Sequence, residues 1–166
     1  MFDTPGGHRT HPMGDKVRGG LFNTLGDITG LIVLDAFAGS GALSFEAVSR
    51  GATSAIAIES DRRAQATIIK NIEELELEDK VQMVKAYCAS WSGRHQREVF
   101  DILLMDPPYD NLQIADMEKL VRHLKPEGIM VVSWPGKLDR TELKGLVIVS
   151  QKNYGDAQLV FYRHIS

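Results

Sequence analysis

Short apolar runs alternate with stretches of helical spacing along most of this chain, and that alternation constrains the fold more than any other feature. Residues 31–34, Leu-Ile-Val-Leu, are an unbroken apolar run ending in Asp35, as expected of a parallel strand buried on both faces. Residues 53–58, 81–85, 100–105 and 129–134 read as further strands. Between them, residues 17–25 (Val17, Leu21, Phe22, Leu25), 42–49, 62–77 and 114–124 carry helical periodicity. In the longest of these helices, Ala66, Ile69, Ile72 and Leu75 are expected to share one side. Pro12 can open the first helix, Gly19-Gly20 weakens it, and Gly26 can stop it. Pro126-Glu127-Gly128 is expected to close the last helix, with His123 on its surface; residues 141–143 suit one helical turn. Residues 146–151 and 158–162 flank Asn153-Tyr154-Gly155-Asp156, a composition that supplies hairpin dihedrals. The expectation is an α/β fold, a mostly parallel sheet with helices on both faces and a C-terminal antiparallel hairpin.

Nothing in the 166 residues suggests a repeat or a linker, so one domain over 12–166 is expected, preceded by an irregular segment 1–11 around Pro5 and Gly6-Gly7. No apolar run approaches the roughly 20 residues that cross a bilayer, and the first residues lack the apolar core of a signal peptide. Cys88 is the only cysteine, which excludes an internal disulfide. A cytoplasmic monomer without membrane or metal partners is expected. The five histidines show no paired metal-ligand spacing, and Ser40 lies in Gly-Ser-Gly rather than in a hydrolase nucleophile elbow. A net charge of -3 argues against a protein that coats bare nucleic acid.

Two stretches carry chemistry. Asp35-Ala36-Phe37-Ala38-Gly39-Ser40-Gly41 follows the first strand and opens a helix. Its glycines permit a tight turn and close approach to a ligand, but no lysine follows to grip phosphates, and the acid before the turn suits a ligand with a cationic centre. Glu59 ends the second strand, 18 residues after Gly41, where a carboxylate can accept ribose hydroxyls. Ser60 and Asp61 beside it can cap the next helix. Tyr87, Cys88 and Ala89 follow the third strand, where an adenine ring would rest; Cys88 reads as packing. These residues together point to an adenosyl ligand. The plain alternative is that Gly39 and Gly41 only close a turn.

The second stretch is Asp106-Pro107-Pro108-Tyr109, at the end of the fourth strand. Two prolines make a rigid extended corner. A base amine is a poor nucleophile because its lone pair is delocalised into the ring. Asp106 and the Pro107 carbonyl can accept its two N–H groups, direct the lone pair at a methyl donor, and compensate the charge that develops. Tyr109 offers a face on which an extruded base stacks. The plain alternative is a turn in which Tyr109 covers the core.

The chain resembles the class I S-adenosylmethionine-dependent methyltransferases, specifically the RsmD family. The resemblance lies in His11-Pro12-Met13-Gly14-Asp15-Lys16-Val17-Arg18-Gly19-Gly20-Leu21-Phe22-Asn23, Leu34-Asp35-Ala36-Phe37-Ala38-Gly39-Ser40-Gly41-Ala42-Leu43, Ser49-Arg50-Gly51-Ala52 and Asp106-Pro107-Pro108-Tyr109. It implies a seven-stranded Rossmann-like fold and S-adenosylmethionine held by Asp35, Phe37, Ala38, Gly39, Ser40, Gly41, Glu59 and Ser60. It implies that residues 106–109 hold the N2 amine of a guanine in small-subunit (16S) ribosomal RNA, guanine 966. Residues 15–18 would pack over the cofactor mouth and meet the substrate. Asp15, Lys16 and Arg18, the last two as phosphate contacts, and Trp134 at the end of the fifth strand are the expected substrate residues. Against the family pattern, only 11 residues precede Pro12, where a basic hairpin is usual, and Tyr87 stands where an Asp or Asn usually holds the adenine. A partly assembled small subunit, whose bound proteins add contacts, would reconcile the negative charge with an RNA substrate. Adenine-N6 methylation, or a ribosome-assembly protein that binds the cofactor with little turnover, are the other readings.

Overall fold

The structure is a computed structural model and describes residues 13–165. The irregular segment and the Pro12 helix start expected from sequence lie outside the described residues. The element order is α1 (Asp15–Leu25), β1 (Ile32–Asp35), α2 (Ala42–Ser49), β2 (Ser54–Glu59), α3 (Arg62–Glu74), β3 (Val81–Lys85), α4 (Cys88–Arg94), β4 (Phe100–Met105), α5 (Ile114–Lys119), a 3-10 turn (Leu120–His123), β5 (Leu124–Pro135), β6 (Leu146–Asn153) and β7 (Ala157–His164). The seven strands form one sheet in the order β3-β2-β1-β4-β5-β7-β6. The first five are parallel, and β7 runs antiparallel to both β5 and β6. No described helix is long and apolar enough to cross a membrane.

Strand alternation divides the core into two layers. Val33, Ala55, Ala57, Ile102, Leu104, Val131, Leu159 and Phe161 face one side of the sheet, where Leu21 and Phe22 of α1, Leu43 and Phe45 of α2 and Ile68 and Ile72 of α3 cover them. Leu34, Ile58, Leu103, Met105, Met130, Val132, Val160 and Tyr162 face the other, under Trp91 of α4, Met117 of α5 and Leu120. Side chains of successive strand residues point to opposite faces, so the polar residues at the strand ends inherit this alternation.

Several expectations are corrected. The inward face of α3 is Ala64, Ile68, Asn71 and Ile72, while Ile69 and Leu75 are exposed. A strict three-residue repeat drifts around a helix by about 60° per step, so the expected set could not stay on one side. The side chain of Asp61 accepts the Ala64 amide at 3.0 Å and caps this helix. Helix α4 has no clear sequence signal: Ser90, Ser92 and Gly93 interrupt its apolar pattern, and its buried residues are Cys88, Trp91 and Ser92. His123 is wholly buried rather than on a helix surface: its Nε2 pairs with Ser92 Oγ at 2.8 Å and its Nδ1 with the Glu98 carbonyl at 2.6 Å. Pro126-Glu127-Gly128 does not close a helix but lies within β5, where the register with β4 shifts between Phe100 and Ile102. Gly128 is needed there, because a Cβ would come within 2.9 Å of the Asp101 carbonyl oxygen. Residues 141–143 form no helix.

Gly20, expected to weaken the first helix, has a packing reason, and Gly155 makes the expected hairpin turn. A Cβ on Gly20 of α1 would collide with the Tyr154 hydroxyl, so the missing side chain lets the β6–β7 hairpin close against α1. Gly155 turns that hairpin with φ 85° and donates its N–H to Asn153 Oδ1 at 2.7 Å.

Candidate active site

The polar groups converge at the carboxyl ends of β1, β2, β4 and β5, on the edge where open α/β sheets bind ligands. β1 ends in Asp35, which is wholly buried. Its Oδ2 accepts the Ser44 hydroxyl of α2 at 2.7 Å, and its Oδ1 has no partner among the described residues. Burial pushes the Asp35 carboxyl up to about 7, the charge of Glu59 adds to the rise, and Ser44 opposes it. A buried acceptor without a donor is costly unless something supplies one.

The turn after β1 is held from both sides. The Ala38 N–H donates to the Ile58 carbonyl at 3.0 Å, and the Gly39 N–H donates to Glu59 Oε1 at 2.7 Å. Gly41 has φ 85°, and a Cβ there would meet the Phe45 ring at 2.8 Å, so only glycine fits. Glu59 also accepts the Asp61 N–H on Oε2 at 2.8 Å, and burial raises its carboxyl above the ordinary range. Glu59, expected from sequence as a ribose ligand, therefore braces the glycine turn.

Around this turn, Ser40 is buried, Ser60 is exposed, and Phe37 is half-buried and packs against the core layer beneath α4 and α5. Tyr87 precedes α4 and is 71% exposed, so its ring is open for stacking. Ala89 is half-buried. Cys88 is buried, and burial pushes its thiol up to about 11, which leaves it unreactive packing at neutral pH.

Asp106, Pro107, Pro108 and Tyr109 leave β4 beside this turn; the Ala36 N–H donates to the Leu104 carbonyl at 3.0 Å and ties the two strand ends together. Burial pushes the Asp106 carboxyl up to about 7, the charge of Asp35 raises it further, and a hydrogen bond from Ser133 opposes both. The Tyr109 hydroxyl pairs with Ser133 Oγ at 2.6 Å, and burial raises its pKa too. Ser133 and Ser44 were not among the residues singled out from sequence. Period-two alternation in β5 could have found Ser133, because it shares a face with Val131 while its neighbour Trp134 points the other way.

Trp134 is corrected on that ground. It has no exposed surface, and its indole N–H donates to the Tyr162 hydroxyl at 2.7 Å, which donates onward to the Thr141 carbonyl at 2.6 Å. It cannot stack a substrate base from inside the core. Arg18, expected as a phosphate contact, is engaged within the protein: its guanidinium bonds Asp15 at 2.8 Å and Glu46 of α2 at 3.1 Å, bracing α1 against α2. Lys16 and Asp15 are exposed at the start of α1. Among the described residues no group of three or more His, Cys, Asp or Glu could hold a metal ion.

The donor set fits an adenosyl ligand with a cationic centre. Asp35 Oδ1 lacks a partner among the described residues, and the Gly39–Gly41 bend sits next to acidic Glu59.

Comparison with known proteins supports the same frame. The model of the family described as Conserved hypothetical protein 95 matches residues 1–163. The Bacillus subtilis (strain 168) protein named "Putative rRNA methyltransferase YlbH" is 30% identical over 164 residues, covering 95% of this chain and 89% of that one. The Escherichia coli (strain K12) ribosomal RNA small subunit methyltransferase D is 38% identical over 108 residues, covering 64% of this chain and 52% of that enzyme. The solved structure of the "Putative methyltransferase yhhF from Escherichia coli" superposes with a TM-score of 0.81 at 28% identity, covering 98% of this chain and 90% of that one.

Proposed function

Because this chain belongs to the family described as Conserved hypothetical protein 95, in keeping with the RsmD resemblance of its motifs, we propose that it transfers a methyl group from S-adenosylmethionine to the N2 amine of a guanine in small-subunit ribosomal RNA. The single observation that carries the reading is the placement of the Asp106–Tyr109 corner beside the Asp35–Gly41 turn, with Asp106 close enough to feel the charge of Asp35.

Asp35, Gly39, Gly41 and Glu59 would hold the cofactor, which supplies an electrophilic methyl group when bound. Asp106 accepts one N–H of the amine and the Pro107 carbonyl the other, orienting the nitrogen lone pair. As the amine gains positive charge, ionised Asp106 offsets it from a fixed position, with no reorganisation at the moment of reaction. A carboxyl whose pKa lies near 7 is also suited to take the proton that the methylated amine must lose. The half-buried Tyr109 ring stacks on the base, while its hydroxyl is anchored by Ser133. The proposed substrate is a partly assembled small subunit met by a cytoplasmic monomer, where bound proteins add contacts to those of a chain with net charge -3.

The test is to incubate the protein with labelled cofactor and either assembled particles or naked RNA, then identify the product nucleoside by mass spectrometry. N2-methylguanine is expected. N6-methyladenine would replace guanine as the target, and no transfer to either substrate would overturn the reading.

A further inference from the structure

Ser133 stands between the two functional ends of the Asp106–Tyr109 corner. It lies on β5, is buried, and pairs with the Tyr109 hydroxyl at 2.6 Å; its hydroxyl also works against the rise of the Asp106 carboxyl. The register puts it there: Met105 of β4 pairs with Val132 of β5, so Asp106, which follows β4, and Ser133, within β5, are neighbours. Ser133 faces the same side of the sheet as Val131 and Leu104, the side that Asp35 also faces in register with Leu104.

Proton counting orders this chain of groups. An ionised carboxylate only accepts, and a serine hydroxyl has one proton to donate. If Asp106 is ionised, the Ser133 proton points at Asp106, and the Tyr109 proton must then point at Ser133. We propose that Ser133 is a positioning residue that holds Asp106 ionised and oriented and fixes the Tyr109 ring through one ordered relay, Tyr109 O–H to Ser133 O–H to Asp106. This rests on the proposed role of the corner in binding a base amine. With Asp106 protonated the donors no longer need this order, so the ring and the carboxylate are set together. Such a charge-assisted bond in a buried site is worth more than one between neutral groups. Among the described residues the charges facing Asp106 and its neighbours are Asp35 and Glu59, both negative, and Ser133 is the group that favours its ionised form.

The test compares wild type, Ser133→Ala, Ser133→Thr and Tyr109→Phe by two readouts. The first is the titration of the Asp106 carboxyl, followed by carbon NMR in the protein alone. The second is the pH dependence of methyl transfer. Ser133→Ala should raise the Asp106 midpoint by roughly one to two pH units, the scale of one hydrogen bond to a charged group. Transfer at neutral pH should fall by roughly tenfold or more and recover as pH rises. Ser133→Thr, which keeps the hydroxyl, should restore both. Tyr109→Phe should shift the midpoint in the same direction by less. An Asp106 midpoint unchanged in Ser133→Ala overturns the relay, as does a Thr variant that behaves like Ala. If the midpoint moves as expected but wild type transfers no methyl group to RNA, the relay stands and the function proposed for the corner fails.

Discussion

Asp35 and Asp106 lie at the carboxyl ends of adjacent parallel strands, and the charge on Asp35 raises the cost of ionising Asp106. Neither acid has a cationic partner among the causes that set its pKa, and burial is the largest cause for both. The ligand-free protein thus carries two carboxyls near 7 at the edge where a cationic ligand is expected.

That arrangement has a signed effect on stability. The pKa of Asp35 in the folded chain, about 7, lies above its unfolded value near 4, so its contribution is fully present below about pH 4 and is lost as pH rises through about 7. Asp106 acts in the same direction. Asp35→Asn removes the Asp35 part, on the order of 4 kcal/mol at most, less the cost of one buried amide donor left unpaired. Thermal melts of ligand-free protein from pH 5 to 8.5 should show the variant gaining on wild type as pH rises. A constant difference would contradict the assignment.

Asp106→Ala should lower methyl transfer by at least 10²- to 10³-fold, the scale of losing one preorganised electrostatic contact. Cofactor affinity measured by calorimetry should survive, since Asp106 is assigned to the base rather than to the glycine turn. Lost cofactor binding would move Asp106 into the cofactor site.

Lys16 and Arg18 are two residues apart on α1 yet should separate cleanly. Exposed Lys16, changed to Ala, should weaken RNA binding and reduce the salt slope by about 1. Arg18→Ala should instead lower the melting temperature, because its half-buried guanidinium joins α1 to Glu46 of α2. A change in salt slope for Arg18→Ala without loss of stability would restore it as a phosphate contact.

Trp134→Phe removes the indole N–H that donates to Tyr162. Stability should fall by about 1–3 kcal/mol, with KM for RNA unchanged. A raised KM at unchanged stability would return Trp134 to the substrate surface.

The residues that can be read without a structure are those whose chemistry is contiguous. Asp35–Gly41 and Asp106–Tyr109 each follow an apolar run, and parallel strands deliver such segments to one edge whatever the details of packing. The strand–helix alternation and the Asn153–Asp156 turn carried the architecture in the same local way. What failed depended on rotation or on partners distant in the chain. The inward face of α3 follows the helical rotation that a three-residue repeat drifts out of, and the burial of His123 rests on Ser92 and Glu98, residues far from it along the chain.

By itself, the order of residues determined that acids and glycines would gather at the carboxyl edge of a parallel sheet, because period and turn chemistry act over a few neighbours. Only the tertiary structure decided which side chains those groups meet. Pairing β4 with β5 put Ser133 rather than Trp134 beside Asp106, and packing α2 on β1 gave Asp35 the Ser44 hydroxyl and no second donor among the described residues. A strand fixes which face a residue takes, but the residue opposite is chosen by register across the sheet, a contact between segments that no short stretch of sequence contains.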